Sequence, residues 1–156
     1  MSGGHILARV NQTEIRDVLD SLFTMTRASR VTLRRDVPDA RGRGFPVTDE
    51  LLAPGLESIK DEEYTDIMAS PVAAEAAGGT QVTQKDSASC YPDDPEFHAM
   101  RAEYGGLGAQ VVTPLFVDAR LVGIVSVHHV GSPRDWTPDE IAACSRAAER
   151  IAPLIA

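Results

Sequence analysis

LVGIVSVHH, residues 121–129, is a strongly apolar run that ends abruptly in two histidines. Read as a strand, it places Leu121, Gly123, Val125 and Val127 on one face and Val122, Ile124, Ser126 and His128 on the other. The first face is apolar throughout, with a glycine that lets a helix approach the backbone closely. The second begins apolar and turns polar. Val122 and Ile124 are not expected to lie bare to water, so both sides of this strand need cover. Just upstream, AQVVTPLFV (109–117) is a second apolar run, and only Asp118-Ala119 separates it from Arg120. The two form an antiparallel hairpin. Its connection lacks the favoured Asn-Gly or Asp-Gly, which leaves the turn type open.

Downstream, WTPDEIAACSRAAERIAPLI (136–155) reads as a helix. Thr137 caps it, Pro138 takes the first position, Glu140 completes a capping box, and Ile141, Cys144, Ala148, Ile151 and Ile155 form a narrow stripe suited to helix contact. Pro153 is expected to fray or kink the last turn. At the other end of the chain, Asn11 and Glu14 have capping-box form, and Ile15, Val18, Leu19, Leu22 and Met25 predict an amphipathic helix over 12–27. SRVTLRRD follows with a two-residue period: Val31, Leu33 and Arg35 against Arg30, Thr32 and Arg34.

The middle is less regular. Residues 37–44 read as a connection and 45–47 as a short extended piece, with Thr48 capping a single helical turn that Pro54-Gly55 ends. Residues 56–68 carry mixed signals. Ser70-Pro71 opens a short alanine-rich helix with Gly78 as its left-handed exit. TQVTQKD is a modest strand ending at Asp86. Asp94-Pro95 then opens a helix with Phe97, Met100, Arg101 and Tyr104 on one side, stopped by Gly105-Gly106. The segments 37–79 and 84–108 are the available cover for the second face of the 121–129 strand, and they can enclose a cavity with a few polar side chains.

At 156 residues the chain fits one domain. A formal net charge of −8 and dispersed basic residues make nucleic acid a poor partner. No apolar stretch approaches the ~20 residues of a membrane span, and the start lacks signal-peptide character, so a cytoplasmic protein is expected. The two cysteines, Cys90 and Cys144, have no CxxC spacing and read as free thiols.

The order helix, SRVTLRRD, GFPVTDELLAPG, SPVAAEAAGG with Asp86, then YGGLGAQVVTPLFVDARLVGIVSVHHVGSPRDWTPDEI and a closing helix resembles a GAF domain across nearly the whole chain. Pro114, Gly123 and Trp136-Thr137 are the most specific part. The resemblance implies an α+β domain whose antiparallel sheet has about six strands. N- and C-terminal helices would pack on one face, with a ligand pocket on the other and dimerisation through the terminal helices. It also implies a regulatory, sensory role in signal transduction through small-molecule binding. The special subtypes fit poorly. Cys90 is followed by Tyr91 and Pro92 rather than a bilin-attaching Cys-x-His, the asparagine-lysine start of the cyclic-nucleotide signature is missing, and only Cys90 lies in a loop, where the free methionine sulfoxide reductases need several cysteines.

The candidate ligand-binding residues are Arg34, Glu50, Asp86, Gln110, Ser126 and His128. Arg34, on the face with Thr32, can hold a carboxylate or phosphate; a surface or Asp36-paired arginine is the plain alternative. His128 can exchange a proton near neutral pH, or be a hydrogen-bonded rim residue. Glu50 and Asp86 can neutralise Arg34 in an empty pocket, although Asp86 serves equally as a turn residue. Gln110 and Ser126 are hydrogen-bonding partners or edge residues. Tyr104, Met100 and Phe97 read as core, and His98 as structural. A zinc site from Cys90, His98 and His128 has no supporting spacing, no catalytic set is indicated, and no cofactor can be named.

The expectation is therefore a stand-alone, non-catalytic sensor of a small anionic or aromatic metabolite, acting on a partner protein in trans as a homodimer. A thiol-dependent redox enzyme using Cys90 and a ligand-free dimerisation module are the alternatives.

Overall fold

A computed structural model describes residues 2–36, 45–60 and 70–155. In chain order these form α1 (Ser2–Thr26), β1 (Arg30–Arg35), β2 (Val47–Leu52), α2 (Pro71–Ala77), β3 (Val82–Gln84), a 3-10 turn (Ser87–Ser89), α3 (Pro95–Glu103), β4 (Leu107–Val117), β5 (Arg120–Val130) and α4 (Pro138–Ile155). The expected connection at 37–44 and most of the mixed segment at 56–68 lie outside the described residues. The strands form one antiparallel sheet of order β2-β1-β5-β4-β3, five strands among the described residues. The architecture is the α+β layering read from the sequence. No helix among the described residues is long and apolar enough to cross a membrane.

α1 and α4 cover one face. Ile15, Leu19 and Leu22 from α1 and Cys144, Ala148 and Ile151 from α4 join Val31, Leu33, Val111, Val125 and Val127 of the sheet in the main core. The narrow α4 stripe does its expected work, and its capping box is reciprocal: Glu140 N donates to Thr137 Oγ1 at 3.1 Å and Thr137 N to Glu140 Oε1 at 2.9 Å. Pro153 lies inside α4 and the helix continues to Ile155. Gly123 carries the close approach expected of it, since a Cβ there would lie 3.1 Å from Ile155 Cδ1 and 2.7 Å from the Arg34 carbonyl oxygen.

Several expectations need correction. α1 begins at Ser2, so Asn11 is interior; its Nδ2 donates to the Leu154 carbonyl at 3.3 Å instead of capping. Met25 is exposed and the buried residue of that turn is Thr26, whose hydroxyl donates to Leu22 O at 2.7 Å. The helical turn expected at Thr48 is β2, paired to β1 from Arg30↔Leu52 to Arg34↔Val47. Gly78 is right-handed and the left-handed exit is Gly79, at φ 99°. Val122 packs with the helix-side core rather than with Ile124. The register shift at Leu115/Phe116 leaves it as an extra residue, and a bulge of this kind swings the strand's alternation by one position.

Candidate functional site

A polar rung crosses the sheet on the face away from α1 and α4. Arg30 stands opposite His128, His128 opposite Gln110, and Gln110 opposite Gln84. One step along, Thr32 stands opposite Ser126. Residues in register share a face, and the two-residue period adds Arg34 to this one. All seven side chains are buried. Buried polar groups persist where they are hydrogen-bonded, and here Arg30, Arg34, Gln84, Gln110 and His128 bond to one another or to the segments packed over the sheet. Gln110 Nε2 donates to Gln84 Oε1 at 3.0 Å, and Ser87 Oγ donates to the same oxygen at 2.9 Å.

Among the described residues, the cover comprises α2, α3 and the stretch around Ile59. Phe97 of α3 and Val72 and Ala76 of α2 pack on Val112 and Ile124; Tyr104 packs with Ile59, Val47 and Leu107. Between cover and sheet lies a cavity of about 30 Å³, into which Thr32, Arg34, Gln110, Ser126 and His128 converge, with Tyr104 and Met100 from above. Ile59 and Ser70 also line it; residues 61–69, which join them in sequence, lie outside the described residues.

Tyr104 ties the two arginines to the histidine. Arg34 Nη2 donates to its hydroxyl at 3.0 Å, Arg30 Nη1 donates to its carbonyl at 3.2 Å, and its ring stacks on His128 at 5.5 Å with an interplanar angle of 23°. Arg34 Nη1 also donates to Phe45 O at 3.1 Å. Arg30 Nη1 lies 3.1 Å from His128 Nδ1. A guanidinium can only donate, so Nδ1 accepts and the ring proton sits on Nε2. Burial, and then the neighbouring charges of Arg30 and Arg34, hold the imidazole well below its ordinary pKa. His128 is a neutral donor at physiological pH, which corrects the reading of it as a proton exchanger.

Four of the six candidates, Arg34, Gln110, Ser126 and His128, meet at the cavity. Glu50 stands opposite Thr32, but its carboxylate turns to Arg30 Nε at 3.9 Å and accepts from Ile59 N at 2.9 Å and from the Ser58 hydroxyl. It fixes the stretch that carries Ile59 and does not neutralise Arg34. Asp86 lies off the cavity, where Oδ2 accepts from Ser89 Oγ at 2.7 Å as a turn residue. Arg30 and Tyr104 were missed. The signal for Arg30 was its position two and four residues before Thr32 and Arg34; Tyr104 followed apolar helical spacing and offered none.

The GAF-domain family model matches residues 11–155. The chain belongs to the GAF family. Its fold is similar to that of the PixJ GAF domain of Thermosynechococcus elongatus in its blue-light-absorbing form, at 18% identity and TM-score 0.74, covering 95% of this chain and 88% of that one. It is similar also to a far-red-absorbing dark state solved with bound biliverdin, at 16% identity and TM-score 0.70, covering 96% and 97%. A third likeness is to the GAF domain of an Acinetobacter phosphoenolpyruvate-protein phosphotransferase, at 9% identity and TM-score 0.65, covering 99% and 93%. No curated protein matches the sequence.

In this GAF domain the two cysteines lie on opposite sides of the sheet, Cys144 in the helix-side core and Cys90 against the cover. Burial, then the charges of Asp86 and Glu75, raises the Cys90 thiol, and its S–H donates to Asp86 O at 3.4 Å. Burial pushes Cys144 up to about 12. Neither has the thiolate character of a reactive cysteine. Among the described residues no cluster of three or more His, Cys, Asp or Glu side chains is placed to hold a metal ion.

Proposed function

We propose that this GAF domain is a non-catalytic sensor. It binds a small anionic or aromatic molecule between the sheet and the α2/α3 cover, and signals to a partner protein in trans. The observation that carries this reading is the convergence of Thr32, Arg34, Gln110, Ser126 and His128, from three adjacent strands, on one cavity between sheet and cover. A few convergent polar groups in an otherwise apolar, covered concavity are the usual form of a small-molecule site. Two further features support a binding rather than a catalytic role: His128 is held neutral and the Cys90 thiol is protonated.

Size limits the ligand. At about 30 Å³ the cavity accommodates water and falls well short of the ~300 Å³ where sites for drug-sized ligands begin. A metabolite therefore enters only as the cover gives way, and a bilin requires far more displacement than a small acid. Purified protein should show a saturable thermal stabilisation by members of a panel of small carboxylates and aromatics, about 2.7 kcal/mol at a hundredfold excess over Kd. Arg34→Gln and Gln110→Leu should abolish it. A panel without any stabilising member, or stabilisation indifferent to both substitutions, overturns the site.

The homodimer is proposed through α1. Ile6, Leu7 and Val10 are exposed at 60%, 61% and 56%, and their spacing puts them along one side of the helix. An exposed apolar stripe of this kind suits self-association. Leu7→Glu should convert the dimer to a monomer in sedimentation velocity without altering the melting curve of the domain; an unchanged sedimentation coefficient excludes this face.

A further inference from the structure

We infer that Tyr104 is a resident occupant of the ligand site, and that the ligand is a molecule joining an aromatic ring to an anionic oxygen, which replaces the Tyr104 side chain on Arg34 and His128. This rests on the small-molecule reading of the cavity and specifies it.

Tyr104 already makes the contacts such a ligand would make. Its hydroxyl oxygen accepts from Arg34 Nη2 at 3.0 Å while its ring stacks on the His128 imidazole at 5.5 Å. The site thus reads a flat ring and, beyond it, an oxygen that accepts from a guanidinium. A carboxylate improves on the phenol at Nη2, because a hydrogen bond between two charged groups is about twice as strong as a neutral one. The phenol ring also accounts for the small free volume: the space a ring-sized ligand needs is filled by the chain's own ring.

The placement of Tyr104 suits release of the side chain alone. It caps α3, its carbonyl is held by Arg30 at 3.2 Å, and Gly105 and Gly106 follow at φ 83° and 87°. The backbone is thereby anchored through its carbonyl and the turn that follows, so rotation about the side-chain bonds takes the ring off Arg34 Nη2 and His128, and off the Arg30 guanidinium 5.6 Å from its centroid, without unravelling β4. Met100, one turn earlier in α3, lines the same cavity, and a flexible thioether adapts to a new neighbour at small cost.

Competition by a tethered group lowers apparent affinity by the fraction of molecules in which the site is open. Benzoate and 4-hydroxybenzoate are the probes, with acetate and cyclohexanecarboxylate as controls for charge without a flat ring. Calorimetric titration of Tyr104→Ala should give a benzoate affinity at least tenfold above wild type, and wild type should prefer benzoate to both controls. In 3-fluorotyrosine-labelled wild type, the fluorine resonance that disappears in Tyr104→Phe should move toward its solvent-exposed position as benzoate is added. This readout needs no destabilised variant. Benzoate binding that is lost in Arg34→Gln but leaves the Tyr104 resonance still, with no gain in Tyr104→Ala, overturns the occupant and leaves the small-molecule reading standing. Binding of acetate as tight as benzoate overturns the ligand class. Absence of benzoate binding by both proteins, with another panel member still stabilising wild type, overturns this inference alone; no stabilising member at all overturns the underlying site.

Discussion

Among the described glycines, Gly108 carries the tightest steric demand. A Cβ there would lie 2.0 Å from the Ser132 carbonyl oxygen, a backbone atom with nowhere to go. Gly108→Ala should therefore cost about 3 kcal/mol or more, at the severe end of overpacking, measured by urea unfolding. Gly4→Ala, in α1 with nothing within 4 Å, is the control without a clash and should leave stability unchanged or raise it by up to about 1 kcal/mol. His128 yields a prediction of the opposite kind. Its folded-state pKa is depressed, so the unfolded chain takes up a proton first as the pH falls. The stability this residue contributes is full above the unfolded value of about 6.5 and is lost progressively below it. Unfolding free energies at pH 7.5, 6.5 and 5.5 should fall faster for wild type than for His128→Gln, by up to about 1.4 kcal/mol per pH unit. Equal slopes would mean that the imidazole protonates in the folded protein. His129, also lowered by burial and Arg134, acts in the same direction in both proteins. At this scale the sequence showed the cavity's sheet wall well, because Arg34, Gln110, Ser126 and His128 follow strand period. It hid what depends on long-range partners: Glu50 belongs to Arg30, and the place of Tyr104 depends on how α3 sits over β5.

The β4-β5 hairpin shows what element-level reading reaches. Two alternating runs separated by Asp118-Ala119 were enough to place both strands, and both turn residues have positive φ, 50° and 64°, which makes the connection a type I′ turn. Alanine is strained there. Ala119→Gly should raise stability by about 0.5–1 kcal/mol after the added freedom of the unfolded chain is counted, seen as a higher melting temperature. Thr137→Ala should lower it by about 1 kcal/mol through loss of the α4 cap. β2 was misread for an instructive reason. Thr48 followed by Asp49 and Glu50 imitates a helix start, yet pairing with β1 overrides that local preference. The buried Asp49 is then satisfied by Gln12 Nε2 at 2.6 Å and Arg35 Nη2 at 3.1 Å. Neither partner is visible from VTDELL alone. The bulge that turns Val122 inward was equally hidden, since a register shift belongs to a pair of strands and not to one.

Across the whole molecule the sheet divides two unequal cores. Among the described residues, the α1/α4 side joins both long helices to four strands in one continuous cluster, while the cover rests on two smaller clusters of six and four buried residues. Local opening follows buried apolar contact. Amide exchange should accordingly be faster by at least tenfold in α2 and α3 than in α4 and the centres of β4 and β5, and ligand should slow it in the cover first. Uniform exchange over both layers would contradict a cover that yields to a ligand. The same division separates the cysteines. Cys144 is 1% exposed in the larger core, whereas Cys90 borders the cover beside α3. A maleimide fluorophore would therefore attach at Cys90 in preference to Cys144, slowly because burial and the charges of Asp86 and Glu75 keep that thiol protonated, and would report optically from beside the layer proposed to yield.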